Sequence, residues 1–154
     1  MSDNYRILVA IDLKAGTERL LAEAQRYAQA FDATVDIIHV AAPDPDFIGY
    51  IKSAPEEQDR FDVERKYHAK KLRLEHQQTQ AFSAKLRAAG VRVDQALTAQ
   101  GPTLATILEE ADKLGTNLLI VGSHHHGALF RLWYGDVATD AVKQARCALL
   151  VVPV

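Results

Sequence analysis

The chain of 154 residues has the size of one domain, and we expect residues 1–154 to fold around one hydrophobic core. Hydrophobic residues make up 48% of the chain and charged residues 25%, which is an ordinary balance for a globular protein. The net charge of -2 argues against a nucleic-acid-binding protein with a basic face, because phosphate contacts need clustered lysine and arginine. The single cysteine, Cys147, excludes an internal disulfide and a zinc-thiolate cluster.

The apolar runs of the chain are short. Residues 1–6 lack the basic start and the long apolar stretch of a signal peptide. The longest runs, 7–11 and 147–152, fall far below the roughly 20 residues needed to cross a bilayer. We therefore expect a cytoplasmic protein without membrane insertion.

The first third of the chain alternates between strand and helix patterns. Residues 7–11 are apolar and rich in β-branched side chains, which predicts a strand buried on both faces. Apolar residues then recur at helical spacing from Leu20 to Phe31, with Thr17 as the predicted N-cap. Residues 33–40 predict a second strand, and prolines at 43, 45 and 55 then favour an irregular connection.

The remaining two thirds continue this alternation. Residues 56–89 contain no proline or glycine and predict a long helix with a thin apolar stripe, ending at Gly90. Residues 91–97 have the polar pattern of an edge strand, and Gly101-Pro102 precedes a helix that ends before Gly115. Residues 118–121 predict a doubly buried strand, about 136–146 a helix, and 148–152 the last strand.

This order of elements predicts an α/β fold, an open parallel five-stranded sheet with helices on both faces in a Rossmann-like arrangement. Open parallel sheets bind ligands at the carboxyl ends of their strands, beside the point where the strand order reverses. In this chain those ends lie near Asp12, Val40 and Gly122. We expect the functional site at this edge.

The loop after the fourth predicted strand contains Gly122 and Gly127, and Gly135 precedes the last predicted helix. Glycines allow a backbone to approach a ligand closely, and a helix start near Asp136 offers free N–H groups to an anion. Glycine spacing alone leaves two interpretations open, a phosphate site or a tight turn.

Several segments together resemble the universal stress protein family. They are Ile7 to Asp12, the Ile38-His39-Val40 ending of the second strand, Gly101-Pro102, Val121 to His124 with Gly127, Arg131, Gly135 and Val137, and the final Leu149 to Pro153. The resemblance covers essentially the whole chain and implies a nucleotide α-hydrolase-like fold. The nucleotide-binding residues that it implies are Asp12, Val40, Gly122, Ser123, His125, Gly127, Gly135 and Asp136. For Asp12, a loop-stabilising role stays open beside the nucleotide contact.

Two positions depart from the loop of the ATP-binding members, which reads glycine, two residues, glycine, nine residues, and then Gly-Ser or Gly-Thr. Gly122 and Gly135 match the first and third glycines, but His125 replaces the second and Asp136 replaces the hydroxyl residue. At ~4 Å and an effective dielectric near 20, a carboxylate beside a phosphate charge repels it by about 4 kcal/mol. Mg²⁺ bridging Asp136 to phosphate would reverse this effect, and Lys14 or Arg131 would offset part of it.

Other candidate sites have simpler interpretations. Three adjacent histidines, His124 to His126, do not readily converge on one ion, and we expect a polar loop and no metal site. His39 is expected to make a structural hydrogen bond, and His68 and His76 to lie on a solvated helix. Cys147 is expected to be a small core residue, and we identify no catalytic residues.

The resulting hypothesis is a non-catalytic stress-response sensor or adaptor with weak or altered nucleotide binding. The alternative is a switch that binds ATP with Mg²⁺ and hydrolyses it slowly. The family resemblance implies a homodimer formed by pairing of strand 148–153, and the adaptor role implies a further protein partner. ATP is thus a doubtful cofactor, and Mg²⁺ is expected only together with ATP.

Overall fold

Five parallel strands form the centre of the protein in a computed structural model, which describes residues 4–41, 57–123 and 143–154 and, within these, the side chains of all but 57–62 and 123. The strands are β1 (Arg6–Ile11), β2 (Thr34–Ala41), β3 (Arg92–Gln100), β4 (Leu118–Ser123) and β5 (Ala148–Pro153). Their order in the sheet is β3-β2-β1-β4-β5, and every neighbouring pair is parallel. The predicted α/β fold with five parallel strands is confirmed.

Three helices, α1 (Thr17–Phe31), α2 (Glu57–Ala88) and α3 (Thr103–Leu114), cover both faces of this sheet. Helices α1 and α2 pack on one face, over Ile7, Val9 and Ile37. Helix α3 packs on the other face through Ile107 and Ala111, over Leu8, Ala10 and Ile38. The helix predicted at about 136–146 lies largely outside the described residues. Within the described ranges, no helix is long and apolar enough to span a membrane.

The start of α1 differs from its prediction. The N-cap residue is Gly16, not Thr17, and no side chain caps the helix. Thr17 is instead the first helical residue, with its side chain fully buried. The turn before it is closed by a backbone hydrogen bond from Thr17 N to Lys14 O, and the buried Thr17 hydroxyl makes no hydrogen bond with a described residue. The N-cap prediction was wrong because the loop, and not a capping side chain, begins this helix.

The long helix α2 carries a polar stripe on part of its inner face. Thr79 and Ser83 are fully buried there beside Leu86, which is 4% exposed. Tyr67 and Leu74 are 39% and 52% exposed, and no described residue from 63 to 74 is buried. This confirms that much of the helix faces water. The helix ends before Gly90, whose φ of 87° is the left-handed conformation that glycine adopts without strain.

The two edges of the sheet are β3 and β5. Strand β3 is polar and partly exposed along its length, as expected for an edge strand. Among the described residues, strand β5 pairs only with β4, and its Val151 is 39% exposed. The strand predicted to form a dimer interface therefore lies at an edge of the described sheet, and edge strands are the ones that can pair with another chain.

A charged cluster joins the amino ends of three strands. The Arg6 guanidinium of β1 donates to both carboxylate oxygens of Asp36 in β2, at 2.8–3.1 Å, and to Asp94 Oδ2 in β3 at 2.8 Å. The Asp36 side chain is fully buried, whereas that of Asp94 is half exposed. Burial raises the pKa of Asp36, and the Arg6 guanidinium opposes this rise. The carboxylate therefore depends on Arg6 to stay ionised in the core.

We predict that Arg6→Met lowers the free energy of unfolding by about 3–5 kcal/mol at pH 7, because it leaves a buried charge without its partner. The loss should shrink at pH 4.5, since the pKa of Asp36 rises further without Arg6 and the protonated group carries no buried charge. Urea unfolding of both proteins at the two pH values measures this. The control Asp94→Asn should cost less than about 1 kcal/mol, because that partner is exposed. Equal losses for the two variants would contradict the prediction.

Candidate functional site

The strand order reverses between β1 and β4, at the middle of the sheet. The chain leaves β1 for β2 on one side and later returns to β4 on the other side. Ile11 is level with His39 of β2, and Val9 is level with Ile120 of β4, two residues before Gly122. The structure thus brings Asp12, Val40 and Gly122 to one edge. Open parallel sheets usually bind their ligands at such a point of strand reversal.

Asp12 directly follows β1 and begins the turn into α1. Its Oδ1 accepts a hydrogen bond from Lys14 N at 2.9 Å, and Leu13 between them has a φ of 63°. This two-residue bridge is how aspartate commonly stabilises a turn. The loop-stabilising role is therefore observed. A carboxylate has acceptor capacity for more than one donor, so a ligand contact is compatible with this role.

Val40 lies near the end of β2, and its side chain is 8% exposed. The ladder between β1 and β2 ends with Ile11 opposite His39, so Val40 extends beyond β1. On its other side the strand continues to pair with β3, with Val40 opposite Ala99. This position places the backbone of Val40 at the carboxyl edge of the sheet, next to the end of β1.

Gly122 has a packing role that glycine spacing did not reveal. A Cβ at this position would lie 3.0 Å from Val154 Cγ2 and 3.3 Å from Leu20 Cδ1. The backbone of β4 is therefore packed tightly between α1 and the residue after β5. This accounts for a glycine at position 122 whether or not a ligand binds beside it.

Of the other residues predicted for this loop, only Ser123 lies within the described part of the chain. Ser123 ends β4 opposite Pro153, and its side chain is not described. His125, Gly127, Gly135 and Asp136 lie outside the described residues, as do Arg131 and the two histidines that flank His125. The roles predicted for them stay predictions.

The described histidines have the structural roles expected of them. His39 Nδ1 lies 3.0 Å from the carbonyl oxygen of Ile11 in a buried hydrogen bond. His68 and His76 lie on α2, the first half-buried and the second exposed. Within residues 4–41, 57–123 and 143–154, no three His, Cys, Asp or Glu side chains are grouped as metal ligands.

A cavity of about 310 Å³ opens at the same edge, between α2 and the ends of β2 and β3. Its size falls at the lower limit for small-molecule pockets. In addition, Glu75 Oε2 of α2 lies 3.3 Å from His39 Nε2. The sequence predicted neither this contact nor the charged residues of the cavity, because charged side chains on a helix give no sequence signal of which neighbour they meet. The lining residues include Ala41, His68, Lys71, Leu72, Glu75 and Gln100.

Cys147 lies just before β5 and is half-buried, packed against the core on the α3 face. Burial, with a smaller effect from the Asp112 carboxylate, raises the pKa of its thiol. The thiolate is the reactive form, so this cysteine is poorly reactive near neutral pH. It is a packing residue, as expected, although it is less buried than a core position.

We predict that Gly122→Ala lowers the free energy of unfolding by about 1–3 kcal/mol through overpacking. In a Val154→Ala background the same change should cost much less, because the nearest methyl group has been removed. Thermal or urea unfolding of the four proteins of this cycle measures the difference. An equal cost in both backgrounds would show that contact with Val154 is not the reason for glycine here.

We predict that iodoacetamide alkylates Cys147 at pH 8 more slowly than a free cysteine, by about threefold or more, because the raised pKa lowers the thiolate fraction. Asp112→Asn should increase the rate, whereas Glu109→Gln on the same helix should leave it unchanged. The loss of free thiol with time measures these rates, with the urea-unfolded chain as reference. A native rate equal to the unfolded rate would contradict the prediction.

Comparison with known proteins identifies the family. The model described as "Universal stress protein family" matches residues 4–153. The Thermus aquaticus protein described as "Universal stress protein in QAH/OAS sulfhydrylase 3'region" is 30% identical over 146 residues, which cover 95% of this chain and 96% of that protein. A universal stress protein in complex with cAMP has a TM-score of 0.61 at 18% identity, covering 97% of each chain. A universal stress protein family protein from Arabidopsis thaliana with AMP bound has a TM-score of 0.60 at 18% identity, covering 97% of this chain and 91% of that chain. The chain therefore belongs to the universal stress protein family.

Proposed function

We propose that this protein is a non-catalytic stress-response sensor or adaptor that binds an adenine nucleotide in the crevice between β1 and β4. The observation that carries the proposal is the meeting of Asp12, Val40 and Gly122 at the point where the strand order reverses. Solved family members with this fold are described in complex with cAMP and with AMP bound, which supports the same ligand class here.

The nucleoside and the phosphate have different expected partners. Asp12 and the backbone of Val40 lie at the ends of β1 and β2 and are assigned to the base and ribose. Gly122, Ser123, His125, Gly127, Gly135 and Asp136 are assigned to the phosphate side. The dipole and free N–H groups expected at a helix start after Gly135 favour an anion there.

Asp136 sets the preference among nucleotides. In the sequence pattern of the ATP-binding members, Asp136 occupies the position of the hydroxyl residue expected to contact phosphate, so we expect repulsion that grows with the number of phosphate charges. A nucleotide with one phosphate should therefore bind better than ATP in the absence of Mg²⁺. A preference for a nucleotide with one phosphate suits a sensor, because the fraction of protein with bound nucleotide would follow the concentration of that nucleotide.

The assembly we propose is a homodimer formed by pairing of the β5 strands (residues 148–153) in the cytoplasm. The exposed edge position of β5 supports it, because that strand has no partner on its outer side within the described part of the chain. Dimerisation would cover Val151 and leave the crevice at the carboxyl edge open to a partner protein.

We predict that AMP binds the wild type more tightly than ATP does without Mg²⁺, as measured by isothermal titration calorimetry. Asp136→Ala should strengthen ATP binding by at least about tenfold. The upper limit is about a thousandfold, because the repulsion that is removed is at most about 4 kcal/mol. The control Asp112→Ala removes an equal charge on α3, near the opposite edge of the sheet, and should change nothing.

Two results would contradict this account. One is ATP copurifying with the wild type, seen by mass spectrometry of released ligand, together with micromolar or tighter affinity. The other is Mg²⁺-dependent ATP binding that Asp136→Ala weakens, which would favour the slow ATP switch.

A further inference from the structure

His39 connects three elements beneath helix α2. It is 6% exposed, and its Nδ1 lies 3.0 Å from the carbonyl oxygen of Ile11, the last residue of β1. Its Nε2 faces Glu75 Oε2 of α2 at 3.3 Å. Both of these facing atoms are buried, and neither has a hydrogen-bond partner elsewhere among the described residues. The imidazole thus lies directly between the end of β1 and the helix.

The donors and acceptors of this arrangement determine its protons. A carbonyl oxygen only accepts, so the contact with Ile11 requires the hydrogen of His39 to be on Nδ1. A neutral imidazole with Nδ1–H has a lone pair on Nε2, and an ionised Glu75 would face it with a second lone pair. Two acceptors at 3.3 Å in a buried place repel each other. One additional proton between Nε2 and Oε2 removes the conflict, whether the imidazole or the carboxyl group formally holds it.

Three elements bring polar groups near this pair in the described part of the chain. On α2, Lys71 lies one helical turn before Glu75 and His68 two turns before it, and all three line the cavity. From β3, Thr98 is paired with His39, and its buried hydroxyl makes no hydrogen bond. From β1 come the Ile11 carbonyl and then Asp12, the next residue in the chain. Of these titratable groups, Glu75 is the one whose ion-pair distance to His39 the structure gives, at 3.3 Å.

We propose that His39 and Glu75 share one proton and that this pair positions the carboxyl end of β1. The position of Asp12 then depends on whether the shared proton is present. Asp12 directly follows the carbonyl group that His39 holds. The consequence for nucleotide affinity rests on the proposed function, whereas the shared proton and its effect on Asp12 do not. His39 and Glu75 are positioning residues, and neither is placed in contact with a ligand.

The effect of pH has a definite sign. When rising pH removes the shared proton, Nε2 and Oε2 repel each other and the link from α2 to β1 weakens. The change Glu75→Gln keeps a hydrogen bond between α2 and His39 but removes its dependence on the shared proton, because a glutamine amide donates to Nε2 of neutral His39 without titrating. Glu75→Ala removes the link at every pH. The link between α2 and β1 should therefore depend on pH in the wild type, be independent of pH in Glu75→Gln and be absent in Glu75→Ala.

The test is NMR of the ¹⁵N-labelled protein between pH 6 and pH 9. We expect His39 Nδ1 to carry a hydrogen throughout, and the Asp12 amide signal to shift together with the His39 ring signals as the proton leaves. In Glu75→Gln the Asp12 signal should no longer follow pH in this way. A neutral His39 with its hydrogen on Nε2, or an Asp12 signal that does not follow His39, would overturn the proposal.

AMP affinity over the same pH range gives the functional readout. Wild-type affinity should fall by about fivefold as the proton is lost, a typical coupling between linked sites, while that of Glu75→Gln stays level. Parallel pH dependence in both proteins would overturn the coupling. Absence of AMP binding at every pH would refute the proposed function alone, because the NMR signals of His39 and Asp12 decide the shared proton independently.

Discussion

Strand β1 pairs with β2 on one side and with β4 on the other, and this double pairing determines both the burial of β1 and the place where the strand order reverses. It makes β1 the central, fully surrounded strand, buried from Ile7 to Ile11. It also sets the point of strand reversal at the end of β1, so the residues that follow β1 and β4 meet there. The nucleotide site that we propose depends on this pairing, because open parallel sheets bind ligands where the strand order reverses.

The two ends of β1 are held by different chemistry. At its amino end, Arg6 neutralises the buried Asp36 and reaches the exposed Asp94, which ties three strands together. At its carboxyl end, His39 holds the Ile11 carbonyl and faces Glu75 of α2. In the first arrangement the guanidinium of Arg6 keeps its charge over the physiological pH range, because arginine does not lose its proton. The second contains a buried histidine that faces a carboxyl group, and this is the pair that we propose to share one proton.

The sequence predicted the sheet well, because apolar runs such as 7–11 and 118–121 have few alternatives to a doubly buried strand. It also predicted that Asp12, Val40 and Gly122 meet, since the alternation of elements implies parallel strands. The N-cap of α1 was missed because Thr17 has the composition of a cap but a buried side chain. The His39–Glu75 contact was not predictable, because the residues are 36 positions apart and polar residues on α2 resemble a solvated surface. Gly122 shows a related limit, since a glycine required by packing and one required by phosphate look the same in a sequence.

Binding of an adenine nucleotide at the reversal point is the central claim, and chemical-shift mapping with AMP tests it most directly. In ¹H–¹⁵N spectra of the ¹⁵N-labelled protein, the account predicts saturable shifts that concentrate at Asp12, Val40 and Gly122. Residues at the opposite edge of the sheet, such as Asp94 and Asn117, should remain unchanged and serve as the internal control. Shifts confined to the cavity beside α2, at His68 and Gln100, or no saturable shifts at millimolar AMP, would contradict the account.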